Sequence, residues 1–177
     1  MEVWVTNRTG ATTETRDVVG FMDLGEGKPY DSTRITGLGA GTLPDNGANT
    51  LYNSLISNPN IRNPVLINSI LRGQGFNPVE DYEKTFARKL SPNEYFFNPQ
   101  IGFVSLSQQL QPDEVLGVAY QYSLNGKIYQ VGEFSQDVTL DFYSGGTKGF
   151  VAETFKSNFA ASQASYMEMD DEECIFP

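Results

Sequence analysis

The 177-residue sequence contains no histidine and a single cysteine, Cys174. Without histidine, neither a Ser-His-Asp nor a Cys-His catalytic set can be assembled, nor a histidine-ligated metal site. One thiol permits neither an internal disulfide nor a cysteine-rich zinc site. Basic residues are also scarce: 12 Lys and Arg stand against 22 Asp and Glu, a net charge of −10. That balance argues against nucleic acid, which is bound by displacing counterions from phosphate with a basic footprint. It equally disfavours docking on an anionic membrane surface. No apolar run approaches the roughly 20 residues of a membrane helix. No leader is visible either, since residues 2–20 include Glu2, Arg8, Glu14, Arg16 and Asp17. If the parent protein is exported, the expectation is that this chain is an excised piece.

What the chain does have is turn residues and aromatics: 17 Gly, 9 Pro and 12% Phe, Trp and Tyr. Together these point to many turns and much β structure. The length makes one domain the default, large enough to hide roughly 70% of its unfolded surface. EVWVT at 2–6 reads as a strand with Val3 and Val5 on one face and Trp4 on the other. DVVGFMDL at 17–24 reads as a second strand, with Gly20 marking a bulge or a close backbone approach. Residues 25–47 form a long glycine-rich loop. Two short helices are expected next. Asp45 or Asn46 caps the first, whose face carries Leu51, Tyr52, Leu55 and Ile56, and Asn58-Pro59 ends it. Asn63 caps the second, with Pro64 at its first position and Leu66, Ile67, Ile70 and Leu71 as its stripe. The pair reads as a helical hairpin lying on a sheet.

The second half is a series of short strands. Tyr82–Leu90 favours strand through its aromatics, with Tyr82 and Phe86 on one face. Ser91-Pro92 opens a turn, followed by strands at Tyr95–Asn98, Ile101–Ser107, Glu114–Ser123 and Lys127–Phe134. Asn125-Gly126 is a strong hairpin signal, because both central residues of a type I′ turn need positive φ. Leu116, Val118, Tyr120 and Tyr122 share one face of the first arm, and Val115, Gly117, Ala119 and Gln121 the other. Apolar groups on both faces imply a sheet covered on both sides. Beyond Asp137, VTLDFY at 138–143 suggests a last strand and SGGTKG at 144–149 has linker composition. Val151–Met169 has helical potential through Phe155, Phe159 and Tyr166, and DDEECIFP reads as a solvated acidic tail.

Candidate chemistry is thin. Gly37-Leu38-Gly39-Ala40-Gly41 lacks the following Gly-Lys-Ser/Thr of a phosphate loop and reads as plain loop. Asp17, Asp23, Glu26, Glu80, Asp81, Glu83 and Glu133 are the acids available for paired-carboxylate hydrolysis, though a solvated surface explains them as well. Asp170, Asp171, Glu172 and Glu173 lack the alternating spacing of a calcium loop. Acidic neighbours raise the pKa of Cys174 and make an inert thiol the simpler reading. Tyr95, Phe96 and Phe97 form either core or a docking patch. No catalytic, cofactor-binding or metal-ligating residue is assigned on this basis.

Three long strings carry more information than any of these motifs. They are VWVTNRTGATTETRDVVGFMDLGE (3–26), NTLYNSLISNPNIRN (49–63) and FARKLSPNEYFFNPQIGFVSLSQQLQPDEVLGVAYQYSLNGKIYQVGEFS (86–135). In wording and order they resemble the SprA family (Sov in some members), giant outer-membrane proteins of the type 9 secretion system of Bacteroidota, also tied to gliding motility. The resemblance spans residues 1–137 and implies a soluble portion of the N-terminal half of a β-barrel translocon. It brings no catalytic residues. Residues 138–177 depart from the family wording and form a divergent acidic segment, flexible or foreign to the family.

The expected fold is α+β: a mainly antiparallel sheet with a C-terminal β-hairpin and a short helical hairpin packed on one face. The function that the resemblance implies is that of a non-enzymatic structural or interaction domain, associated with the outer membrane on its periplasmic or extracellular side. Its partners would be the rest of the translocon, associated subunits or secreted cargo. Neither a cofactor, nor nucleic acid, nor direct membrane insertion by this piece is expected. The alternatives are a free-standing cell-surface binding module for glycan or adhesion and, with least support, a carboxylate-based hydrolase.

Overall fold

A computed structural model describes residues 1–22, 43–138 and 150–156. Eight strands and two helices follow one another as β1 (Glu2–Thr6), β2 (Thr15–Phe21), α1 (Leu51–Ile56), α2 (Ile67–Gly73), β3 (Tyr82–Lys89), β4 (Tyr95–Asn98), β5 (Phe103–Leu106), β6 (Val115–Leu124), β7 (Lys127–Val131) and β8 (Phe150–Lys156). The described chain is thus mainly antiparallel sheet with two short helices. Six strands lie in the order β1-β3-β2-β8-β6-β7. A further pairing of β1 with β6, Glu2 opposite Ala119 through Val5 opposite Leu116, closes the first five into a ring. Among the described strands only β8 with β2 is parallel; the other pairings are antiparallel.

Strand register separates two faces, because directly paired residues point the same way. Trp4, Val18, Ala87 and Ala119 share the inner face and form one buried cluster. A five-stranded ring is narrow, so its interior alternates small residues with few large ones. Trp4 is the large one, and it lies opposite Gly117, which has no side chain to compete for the space. The outer face carries Val19, Phe21, Tyr82 and Val131, covered by Leu51, Leu55, Ile67 and Leu71 of the two helices. Further along the same face, Val3, Val5, Leu116 and Val118 are covered by Leu90, Tyr95, Leu106 and Leu110. The β6 strand is therefore apolar on both faces for two reasons: one face fills the ring, and the other meets the outer layer.

Three turns that lead into strands use one device. Glu94 accepts from Ser91 N at 2.9 Å, and Glu114 accepts from Gln111 N at 2.7 Å. Asp81 accepts from Asn77 N at 2.6 Å. Each sits after an X-Pro pair, so a carboxylate three or four residues on satisfies the amide just before the proline. The turn between β6 and β7 is Asn125-Gly126, with φ of 52° and 73°.

Several local expectations are corrected. Neither Asp45 nor Asn46 caps α1: its first amide, Leu51 N, donates to Asn49 Oδ1 at 2.9 Å, while Asp45 accepts from Gly47 N. Asn46 instead runs beside β7, donating from its amide to Gln130 O at 2.7 Å. Ile56 is exposed, one step round the helix from buried Leu55. Asn63 accepts from Val65 N and organises the turn that leads to α2, but the helix itself starts at Ile67, and Leu66 is exposed. Gly20 marks no bulge, since β2 pairs with β3 without interruption from Thr15 to Phe21. Phe86 shares the face of Tyr82 but is exposed, because the helices cover only one end of β3. Helical potential from Val151 gives way to strand β8, whose two neighbours each supply a ladder of backbone hydrogen bonds. Residues 139–143, the linker 144–149, Gly37–Gly41, Asp23, Glu26, Asp170–Glu173 and Cys174 lie outside the described residues.

Candidate functional site

After β7 the chain makes a strap, Gly132–Val138, that lies across one end of the ring. Phe134 and Val138 pack on the inner cluster with Trp4. Ser135 donates from N and from Oγ to the Glu2 carboxylate at 2.9 and 2.6 Å, and its carbonyl accepts from Arg16 at 3.2 Å. Lys89 Nζ completes the set at 2.7 Å from Glu2 Oε1, and Trp4 Nε1 donates to Oε2 at 3.3 Å. The Arg16 guanidinium sits 5.7 Å from the Trp4 ring centroid. Burial alone would push the Glu2 carboxyl up; the bonds from Lys89 and Ser135 outweigh it and hold the group below its ordinary pKa.

The strap is tied on its other side to the helical layer. Glu133 is 2% exposed and takes a bidentate pair from Arg62, with Arg62 Nη1 at 2.7 Å from Oε2. Tyr52 Oη donates to Oε1 at 3.1 Å. Burial, and then the adjacent Glu133 charge, raise the Tyr52 hydroxyl to about 12. Asn46 holds Gly132 with two side-chain hydrogen bonds, 3.0 and 3.1 Å, in the manner of a neighbouring strand. This arrangement fixes a segment; it leaves no reacting group exposed.

A different surface is open to solvent. In the two-stranded sheet of β4 and β5, Tyr95 pairs with Leu106 and Phe97 with Val104 on one face, and Tyr95 and Leu106 pack against the core. The opposite face carries Phe96, 62% exposed, and Phe103, 44% exposed, with Ile101 exposed in the connecting turn. The aromatic run Tyr95-Phe96-Phe97 is thus split by strand alternation: the first ring belongs to the core and the second to solvent. No charged residue occurs from Tyr95 to Pro112, in a chain with 34 charged residues. Interface cores are depleted in charge and enriched in aromatics, which is the composition of this face.

The root of that sheet is held by Glu94. Its carboxylate takes Arg88 Nη2 at 2.9 Å, along with Ser91 N and Ser91 Oγ. The bond from Arg88 is the main cause that lowers the Glu94 pKa to about 2, with Ser91 N second.

Four of the acids considered for hydrolysis are each held by separate partners among the described residues. Asp17 lies 3.9 Å from Lys84, Glu80 accepts from Asn77, Asp81 closes its own turn, and Glu133 is bound by Arg62 and Tyr52. Among the described residues no group of three or more metal-ligating side chains occurs. No helix among them is long and apolar enough to cross a membrane. Arg62 and Tyr52 carry no signal that sequence reading could use, since Arg62 meets Glu133 across 71 positions. No family model matches the chain, and no curated protein matches it.

Proposed function

We propose that this chain is a non-enzymatic structural and interaction domain of an outer-membrane translocon of the type 9 secretion system, acting in protein export and gliding motility. The observation that carries this reading is the exposed, charge-free face of Phe96, Ile101 and Phe103, built on a sheet whose other face is anchored in the core. Such a face suits contact with the remainder of the translocon, an associated subunit or secreted cargo. The SprA-like wording of residues 1–137 supplies the assignment to that machine, and with it a place at the outer membrane. The long family string from 86 to 135 includes this face together with the ring strand β6 and most of the strap. The test is deletion of residues 1–137 from the parent protein in a secreting cell, with cargo measured in the medium. Loss of secretion with the parent still inserted in the outer membrane is expected; undiminished secretion would overturn the reading.

The same exposed aromatic pair favours a second reading, a cell-surface module that stacks sugar rings on Phe96 and Phe103. Binding on a glycan array that is lost in Phe96→Ser would support it over the translocon reading.

A further inference from the structure

The smaller sheet has a strand edge that is left unpaired among the described residues. Ser107 N donates to Glu94 O, so these two residues form a hydrogen-bonded pair at the root of the β4–β5 ladder. Bonded and non-bonded pairs alternate in an antiparallel ladder, which makes Phe96–Ser105 and Asn98–Phe103 bonded pairs and Tyr95–Leu106 and Phe97–Val104 non-bonded ones. On β5 the N–H and C=O of Val104 and of Leu106 are therefore directed away from β4. Neither residue makes a backbone hydrogen bond to any other element among the described residues. A second strand edge shows what protection looks like. β7 has only β6 beside it, but Asn46 occupies its outer side, binding Gln130 O and both backbone groups of Gly132, and Lys127 stands at its start. A lysine, a proline or a covering segment is what keeps a strand edge from pairing with another chain. Phe103-Val104-Ser105-Leu106 contains neither lysine nor proline, and no described segment pairs with its outer side.

We propose that the outer edge of β5 takes up an extended segment of a partner, neutral or basic and apolar at alternate positions, as a third strand of this sheet. An extended backbone presents donors and acceptors at the spacing that Val104 and Leu106 offer. Its side chains alternate between the two faces, so every second one lies on the exposed face beside Phe103 and Ser105. Apolar groups at those positions extend the surface made by Phe96 and Phe103. Charge selects among such segments. A chain of net charge −10 repels an acidic segment and a second copy of itself, while the stretch from Tyr95 to Pro112 has no charge of its own to oppose a neutral or basic one. The edge is short, so backbone pairing and the contact with Phe103 hold the segment together. This inference rests on the reading of the Phe96 face as a docking surface and adds how the partner is held there.

Peptide binding to the full chain tests it, with the end-blocked peptide Lys-Val-Thr-Val-Thr-Val-Lys as the probe and fluorescence anisotropy as the readout. Val104→Pro removes an outward amide and leaves the ladder to β4 in place, since Val104 and Phe97 are a non-bonded pair and proline is accepted at a strand edge. It is expected to weaken binding roughly ten-fold with little change in melting temperature. The peptide with Glu in place of both Lys is expected to bind several-fold more weakly at low salt. Hydrogen exchange by NMR on the unaltered chain guards against a variant that misfolds. With the probe added, the Val104 and Leu106 amides should exchange several-fold more slowly, while Ser105, already bonded to β4, keeps its rate. Failure of the probe to bind overturns the proposal, as does binding with neither a loss in Val104→Pro nor slowed exchange at Val104 and Leu106. Equal binding of the two peptides overturns the choice of a neutral or basic occupant. Binding that is lost in Phe96→Ser but unaltered in Val104→Pro removes the added strand and leaves the docking reading of the face standing.

Discussion

The two hairpins of the second half are built from the same local code and end in different situations. Both β4–β5 and β6–β7 are short antiparallel pairs with aromatic residues among their strands, and each is tied at one end by a glutamate–arginine pair. At the end of β7 the pair is Glu133 with Arg62, and the carboxylate is almost fully buried. At the root of β4 it is Glu94 with Arg88, and the carboxylate is about a third exposed. The first pair ties a hairpin to the helical layer; the second steadies a hairpin that turns one apolar face to water. Aromatic alternation alone does not distinguish a buried hairpin from an exposed one. The dielectric around its anchor does, and that follows from what the rest of the chain covers.

The buried anchor gives the largest expected effect. In Glu133→Ala, Arg62 and Tyr52 lose an acceptor that is itself almost fully buried. Breaking one side of a buried pair costs roughly 3–5 kcal/mol, toward the lower end here because Arg62 is partly solvated. A loss of about 3 kcal/mol lowers the melting temperature of a chain this size by roughly 6–12 °C. Calorimetry reads it directly, and a fall of less than about a degree would show that the strap is held without this pair.

A smaller loss is expected at the turn of the core hairpin. Gly126 has φ of +73°, and a Cβ added there would meet nothing within 4 Å, so Gly126→Ala brings strain in the backbone and none from neighbours. That strain is roughly 1 kcal/mol. Urea denaturation should show a lower midpoint with an unchanged slope; a cost well above this would mean that the turn contacts another element.

These positions also show where the sequence was informative. Asn125-Gly126 announces its own turn because the conformation is local, and the two faces of β6 follow from alternation within one strand. The helices are visible from their stripes, but the bond from Leu51 N to Asn49 is not, because Asp45 and Asn46 have the same side-chain chemistry and only tertiary pairing takes Asn46 to β7. That Tyr95 is inward and Phe96 outward depends on which side of β4 meets Leu106 and Leu116, which no local pattern encodes. β8 was hidden for a similar reason. Its residues suit a helix as readily as a strand, and its strand conformation rests on two partners, β2 more than a hundred positions upstream and β6.

The anchor at Glu94 is sensitive to pH. Glu94 is held at about 2 in the folded chain against an ordinary value of 4.5. A carboxyl depressed by folding stabilises the fold fully above its unfolded value, and this contribution is lost as pH falls from about 4.5 toward about 2. Glu2, also depressed, contributes with the same sign through Lys89, the neighbour of Arg88 in β3. Because the Glu94 side chain is partly exposed, solvent screens the pair and its worth is below about 1 kcal/mol. Glu94→Gln should therefore shift the urea midpoint slightly at neutral pH and make the decline toward about pH 3 shallower. An unchanged decline would place the acid sensitivity at Glu2 instead.

The smallest stability effect is expected where the interaction effect is greatest. Phe96 and Phe103 lie on the exposed face of a sheet whose inner face is already packed, so Phe96→Ser with Phe103→Ser leaves the buried core contacts in place. Surface changes of this kind fall within about 0.5 kcal/mol. In the parent protein the same pair should reduce cargo secretion or subunit capture, since exposed aromatics are the residues that anchor interfaces. The two readouts must diverge for the docking reading to hold. A marked loss of stability would show that these rings cover part of the fold, and unaltered stability with unaltered secretion would remove the β4–β5 face from the function.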